Sequence, residues 1–319
     1  MNYQQSIKSL LTFIAICSLQ MLTSCQSGPE SSNDLEGQCT ITFTISNYKH
    51  VSFDDISSSS SGTSRAVPSD HPTTLKHLLV AIYDARTGQQ VCPLQHHDQS
   101  YYTESTQWEA YRQFSVTLPY GHYRILVLGY NGSRECNIAS LNQISWTADY
   151  VPNTFSYCGD FVLNQDANLN REITLNHVVA AFRVTAEDAI PTELKKMRFI
   201  SSVGGTVLDA TTGYATQNTG RTSDITVPAD SVGKQGVCFT AYLFLPEEQI
   251  NTNYTVQALG QNDVVLYEKH FNNVPLRINY LTVWQGKVFE TSSSNEEEYE
   301  AGIRLYWDTQ WADTLIISQ

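Results

Sequence analysis

Positive charge is scarce: 19 Lys and Arg stand against 32 Asp and Glu, a formal net charge of −13 over 319 residues. Neutralising phosphates takes clustered Lys and Arg, and no such cluster exists, which argues against a nucleic-acid partner. Charged residues of both signs amount to only 16%, well under the roughly 25% of an average domain. Thr, Ser, Asn, Tyr and Val fill the gap, a balance suited to an extracellular β protein and poorly suited to a helical bundle. Catalytic signatures are missing as well. There is no G-x-S-x-G, no Gly-rich phosphate loop, and no carboxylate pair spaced to act across one bond, so neither an enzyme nor a cofactor is expected. The cysteines beyond residue 25, at 39, 92, 136, 158 and 238, are odd in number and show no C-x-x-C spacing; single thiols are expected, and no metal site. His96-His97-Asp98 invites a metal reading, but neighbouring residues of a strand point to opposite faces, so a polar loop is expected there.

The longest apolar stretch, Leu10 to Met21 behind Lys8, is too short to span a bilayer and reads as a secretory signal over residues 1–24. It ends in Leu22-Thr23-Ser24-Cys25, which resembles a bacterial lipoprotein box, with a polar tether from Gln26 to Asn33 beyond it. Lipid on Cys25 would anchor the chain to the cell outer membrane.

Past the tether, the chain is patterned with a two-residue period. Cys39, Ile41, Phe43 and Ile45 alternate with Thr40, Thr42, Thr44 and Ser46, the pattern of a strand with one buried face. Ser57 to Ser64 and Arg65 have nothing to bury and read as an exposed loop. Strand-like runs recur at Leu78 to Tyr83, Phe114 to Leu118, Tyr123 to Tyr130 and Asp160 to Leu163, separated by turn signals such as Thr87-Gly88 and Asn131-Gly132. The pattern restarts with Ile173 to Thr185 and continues through Lys196 to Ser201, Gly236 to Leu245, Tyr254 to Leu259, Val264 to Tyr267 and Leu281 to Phe289. Single helical turns are expected near Asn137 to Ile144 and Pro191 to Lys196. At about 100 to 200 residues per domain, this predicts an all-β chain of two tandem sandwiches joined near Asn176. The expected divisions are 1–24 (signal), 25–65 (tether, first strand and Ser-rich loop), 66–176 (first sandwich) and 177–319 (second sandwich).

The carboxy-terminal tail alternates again, with Ile303, Leu305, Trp307, Trp311, Leu315 and Ile317 at odd positions. A strand longer than a dozen residues with one apolar face exceeds the usual length and needs a groove. It either completes its own domain around Ile303 to Trp307 or supplies another molecule, chiefly with the part from Trp311 to Ile317.

Taken in order, the lipoprotein box at Cys25, the strand Thr40 to Ile45, the Arg65-Ala66 pair, the strand Leu78 to Tyr83, the run Asn176 to Val184, the run Arg277 to Val283 with Gly286, and a Trp-containing terminal strand resemble the Bacteroidales fimbrillin family, the subunits of type V pili. The resemblance implies two transthyretin-like β-sandwich domains and polymerisation by strand exchange. A protease would cut between Arg65 and Ala66, the segment carrying Ile41, Phe43 and Ile45 would leave, and a neighbouring subunit's extended segment would fill the groove. Implied partners are further copies or related fimbrial subunits, and host or bacterial surface ligands; the implied location is a lipid-anchored precursor and then a surface fimbrium. Two other roles remain open from sequence: an uncut anchor subunit, and a lipoprotein that stacks glycans on Tyr101, Tyr102, Trp108 and Tyr111.

Overall fold

The computed structural model describes residues 37–47, 75–102, 107–167, 169–290 and 303–307. The signal segment, Cys25, Arg65, Ala66, Trp311, Leu315 and Ile317 lie outside the described residues. The described chain is nearly all β. Among its residues, the only α-helix is the five-residue α1 (Trp108–Arg112).

Two sheets face each other across the first core. One is three-stranded, in the order β4 (Gln113–Pro119), β1 (Gln38–Asn47), β9 (Asn170–Thr174). The other runs β10 (Asn176–His177), β8 (Asn153–Leu163), β5 (Gly121–Asn131), β2 (His77–Asp84), β3 (Gln95–Asp98). Ile41, Phe43, Ile45 and Phe114 from the smaller sheet pack on Leu78, Val80, Ile82, Ile125, Val127 and Phe161 from the larger. The two-residue period of β1 therefore does what the sequence led one to expect: Ile41, Phe43 and Ile45 are buried, while Thr40, Thr42 and Thr44 are not.

The strands β2 and β5 are apolar without alternation because both faces of their sheet are covered. Leu79, Ala81, Tyr83, Leu126, Leu128 and Tyr130 point away from the first core into another, shared with Ile144, Trp146, Leu208 and Phe244. A small four-stranded sheet roofs this side: β14 (Tyr214–Ala215), β13 (Leu208–Asp209), β7 (Gln143–Trp146), β6 (Cys136–Ser140). The β6–β7 hairpin corrects the helical turn expected at Asn137 to Ile144; Ile138 and Ile144 are register partners across it. The roof also takes strands from both halves of the chain, since Leu208 pairs with Ile144. Residues 36–319 cluster as one unit.

The second sandwich sets β16 (Val237–Leu243), β11 (Ala180–Ala186), β19 (Tyr280–Gly286) and β20 (Ile303–Trp307) against β15 (Arg221–Thr226), β12 (Lys196–Ser201), β17 (Gln249–Leu259) and β18 (Val265–Arg277). Phe182 sits at its centre, with ring centroids 6.0 Å from Phe199, 4.7 Å from Tyr254 and 5.4 Å from Phe271.

The run Ile173 to Thr185, expected as one strand, is divided among β9, β10 and β11 in three different sheets. Leu175, Val178 and Val179 are buried at the crossings, so the run stays apolar while the backbone changes sheet. Pro191 to Lys196 keeps a single turn, in which the Leu194 amide donates to the Pro191 carbonyl at 3.2 Å, before β12 begins at Lys196.

Candidate functional site

The strand β1 is an interior strand. It pairs antiparallel with β4 from Gln38↔Pro119 to Thr44↔Gln113, and parallel with β9 from Thr42↔Asn170 to Asn47↔Thr174. Ile41, Phe43 and Ile45 are each no more than 1% exposed. Phe43 meets the Phe161 ring edge-on at 5.2 Å. On the outer face, hydroxyl pairs tie β1 to β4, Thr40 to Thr117 at 2.7 Å and Thr42 to Ser115 at 2.9 Å. Burying three such apolar side chains contributes roughly 5–9 kcal/mol at about 1.5–3 kcal/mol each. Without β1, two flanking strands would lose a hydrogen-bonding partner and the core would lose three large side chains. Such an opened slot is a template for strand addition.

The slot is built from residues far apart in sequence. Tyr111, fully buried, caps one part of it by donating its hydroxyl to the Leu75 carbonyl at 2.5 Å. The chain returns to the described structure at Leu75, so the connection from β1 to β2 runs through the stretch that contains Arg65 and Ala66.

At the carboxy-terminal end, β20 lies on the edge of its own chain's second sandwich. It pairs antiparallel with β19, with Ile303 opposite Trp284, Leu305 opposite Thr282 and Trp307 opposite Tyr280. The intramolecular alternative for Ile303 to Trp307 is thus the arrangement this structure holds.

The two runs singled out in the middle and late chain meet in space. Strands β11 and β19 pair in parallel, Ala181↔Leu281 to Ala186↔Gly286. Beside them His177 bridges Asn279 at 2.9 Å and Asn153 at 2.5 Å through its two ring nitrogens. Asn279 stands at φ +66°, a left-handed position that favours Asn or Gly, and its amide donates to the Val179 carbonyl at 2.9 Å. A cleft of about 650 Å³ opens here between Tyr157, His177, Tyr214, Glu248 and Arg277.

The proposed aromatic platform for glycans is not assembled as a surface. Tyr101 is 80% exposed but Tyr111 is 0% exposed, inside the first core. Gln99–Tyr101 is a 3₁₀ turn, and α1 follows at Trp108–Arg112. His96 and His97 lie on β3 rather than in a polar loop, because Gln95 to Asp98 pair with β2. The two rings do point to opposite faces. His97 stacks on Phe114 at 4.0 Å and contacts the Tyr111 carbonyl through Nδ1 at 2.8 Å, while the Nε2 of His96 lies 3.2 Å from the Nδ1 of His77. Cys39, Cys92, Cys136, Cys158 and Cys238 are all unpaired thiols, and burial pushes the Cys136 thiol up to about 12, away from reactivity at neutral pH.

Residues 32–316 match the model of a family of unknown function, DUF6562. The chain belongs to DUF6562. No curated protein matches it. Among solved structures, this DUF6562 chain is similar to a candidate adhesin from Bacteroides ovatus ATCC 8483, at 11% identity and TM-score 0.44, over 78% of this chain and 88% of that one. It is similar to a candidate polysaccharide-binding protein from Bacteroides thetaiotaomicron VPI-5482 at 8% identity and TM-score 0.45, over 77% and 92% of the two chains. The tip fimbrial protein Mfa3 from Porphyromonas gingivalis, truncated at its C-terminus, matches at 10% identity and TM-score 0.36, over 84% and 97%.

Sequence reasoning found Ile41, Phe43 and Ile45 because β1 alternates cleanly. It missed His77 as a neighbour of His96, and Tyr111 as a core residue. The only signal for Tyr111 was its position just before the expected Phe114 to Leu118 strand; in the structure the short helix α1 turns its ring inward.

Proposed function

We propose that this DUF6562 chain is a non-enzymatic structural subunit of a cell-surface fimbria, made as an outer-membrane lipoprotein precursor through Cys25 and assembled with copies of itself or related subunits. The observation that carries this reading is that β1 is a fully packed interior strand whose forward connection passes through Arg65-Ala66. Cleavage there would leave the segment that carries Ile41, Phe43 and Ile45 held only by non-covalent contacts. Its departure would open the slot between β4 and β9, and an apolar alternating strand from another subunit would close it. The tail from Trp311 to Ile317, with Ile303, Leu305 and Trp307 before it, has the alternation such a donor needs. In this scheme the first and second sandwiches, 66–176 and 177–319, are what remains of the chain after processing.

The decisive experiment is mass spectrometry of heat-resistant surface oligomers from cells that express the parent chain or Arg65→Ala. Parent oligomers should begin at Ala66, and the variant should remain a folded, lipidated monomer. Oligomers that form equally well from the variant would remove cleavage from the scheme. An intact amino terminus at Cys25 in every parent molecule would make the chain an anchor instead.

A further inference from the structure

The side of β3 that faces away from the first core brings together three metal-ligating groups. In the β2–β3 register, His77 stands opposite Asp98 and Leu79 opposite His96. His96 and Asp98, two residues apart on one strand, share a face, and His77 joins them from the adjacent strand. The Nδ1 of His77 is 3.2 Å from the Nε2 of His96 and 3.3 Å from the Oδ2 of Asp98. All three ligand atoms lie within 4.8 Å of one another. With zinc–nitrogen and zinc–oxygen bonds of about 2.0–2.2 Å, donor atoms of a tetrahedral site stand about 3.3–3.6 Å apart. The His77–Asp98 edge at 3.3 Å has that length, the His77–His96 edge at 3.2 Å falls about 0.1 Å short of it, and His96 is exposed.

The far side of two of these ligands is held in place. The Nε2 of His77 lies 3.0 Å from the Gly132 carbonyl, which can only accept, so Nε2 carries a hydrogen and Nδ1 is the atom left to face the cluster. Tyr130 packs on the same ring at 4.7 Å. The Oδ1 of Asp98 accepts from the Ser100 amide at 2.9 Å and the Ser100 hydroxyl at 2.7 Å, which leaves Oδ2 for the cluster. Outer contacts of this kind orient the ligands of metal sites. With the His77 ring neutral, its Nδ1 lone pair faces a carboxylate oxygen 3.3 Å away, acceptor against acceptor, and either a proton or a shared cation between them removes that repulsion.

We propose that His77, His96 and Asp98 form a binding site for a divalent transition-metal ion, Zn²⁺ by the nature of the donors, with the remaining position open to water. Two imidazoles and one carboxylate match the borderline preference of that ion and not the all-oxygen preference of Ca²⁺ or Mg²⁺. The ion cross-links β3 to β2. Since β3 is the edge of its sheet, the link pins a four-residue edge strand that would otherwise fray or accept a foreign strand.

The test is isothermal titration of the purified chain with Zn²⁺ alone, in a buffer that does not chelate it. One equivalent should bind per chain. His96→Ala and Asp98→Asn should each weaken binding at least about tenfold, the scale by which even supporting contacts alter metal affinity, and His270→Ala, at an exposed histidine elsewhere, should leave it unchanged. Melting curves without zinc show whether each variant is folded. Absence of saturable binding, or equal affinity in folded His96→Ala, would overturn the site. So would nitrogen NMR that shows His77 doubly protonated at neutral pH and unaltered by zinc, because a proton would then satisfy the cluster.

Discussion

Truncation of Phe43 to Ala tests whether β1 is a core element that leaves only at a large energetic cost. Phe43 is 1% exposed, is the register partner of Phe114 and meets Phe161 edge-on at 5.2 Å. Removing a buried Phe ring costs about 3–5 kcal/mol, from lost transfer energy and the cavity left behind. Thr42→Ala is the matched control on the other face of the same strand; its hydroxyl contact to Ser115 at 2.9 Å is exposed and is worth about 0.5–1.5 kcal/mol. Urea unfolding monitored by circular dichroism should separate the two by at least about 1.5 kcal/mol. A milder Ile45→Val, at about 0.5–1.5 kcal/mol, gives a graded point if Phe43→Ala folds too poorly to titrate. In a chain nicked after Arg65 the same energy becomes an affinity. At about 1.4 kcal/mol per tenfold, the released amino-terminal fragment should bind about 100-fold to several-thousand-fold more weakly when it carries Phe43→Ala. Equal stability of the two variants, or equal retention of the fragment by size-exclusion chromatography, would refute the view that β1 is seated by its apolar face.

Two further expectations concern the framework around the slot and the second sandwich. Tyr111→Phe removes a buried donor and leaves the Leu75 carbonyl unsatisfied, which should cost about 1–3 kcal/mol in a denaturant melt, whereas Tyr101→Ala at an exposed site should stay within about 0.5 kcal/mol. In the second sandwich, hydrogen bonds from Arg198, and then from Lys196, hold the Asp224 carboxyl below the usual carboxylate range. A depressed acid contributes stability that is fully present above its unfolded value near about 3.9 and is lost as pH falls through the folded value. Thermal melts of Asp224→Asn should therefore run below the parent at pH 7, by about 1 kcal/mol or less for so exposed a pair, and converge with it near about pH 2.

Much of the fold could be read from local pattern. The Cys39 to Ile45 alternation identified β1 and its buried face, and the expected runs Leu78 to Tyr83, Phe114 to Leu118 and Tyr123 to Tyr130 lie within β2, β4 and β5, whereas β8 begins at Asn153, ahead of the Asp160 expected. Local pattern failed where an apolar run had more than one explanation. Ile173 to Thr185 looked like one strand because buried crossings are as apolar as strands. Asn137 to Ile144 looked helical because a tight hairpin with Ile at both ends of the pair spaces its apolar residues much as a helical turn does. In β2, continuous apolarity was legible, but the second covered face was not: its cover comes from Ile144, Trp146, Leu208 and Phe244, all distant along the chain.

The sequence by itself determined that this chain is built of strands and that the strand from Cys39 to Ile45 has one apolar face. Composition and a two-residue period are properties of neighbours along the chain, and they survive without any knowledge of pairing. Only the tertiary structure decided that β1 lies between β4 and β9, that β20 closes its own sandwich, and that His77 comes opposite Asp98. Those outcomes depend on register between strands distant in sequence, where a slip of one residue reverses every side chain, and register is set by the packing of the whole core and not by any segment alone.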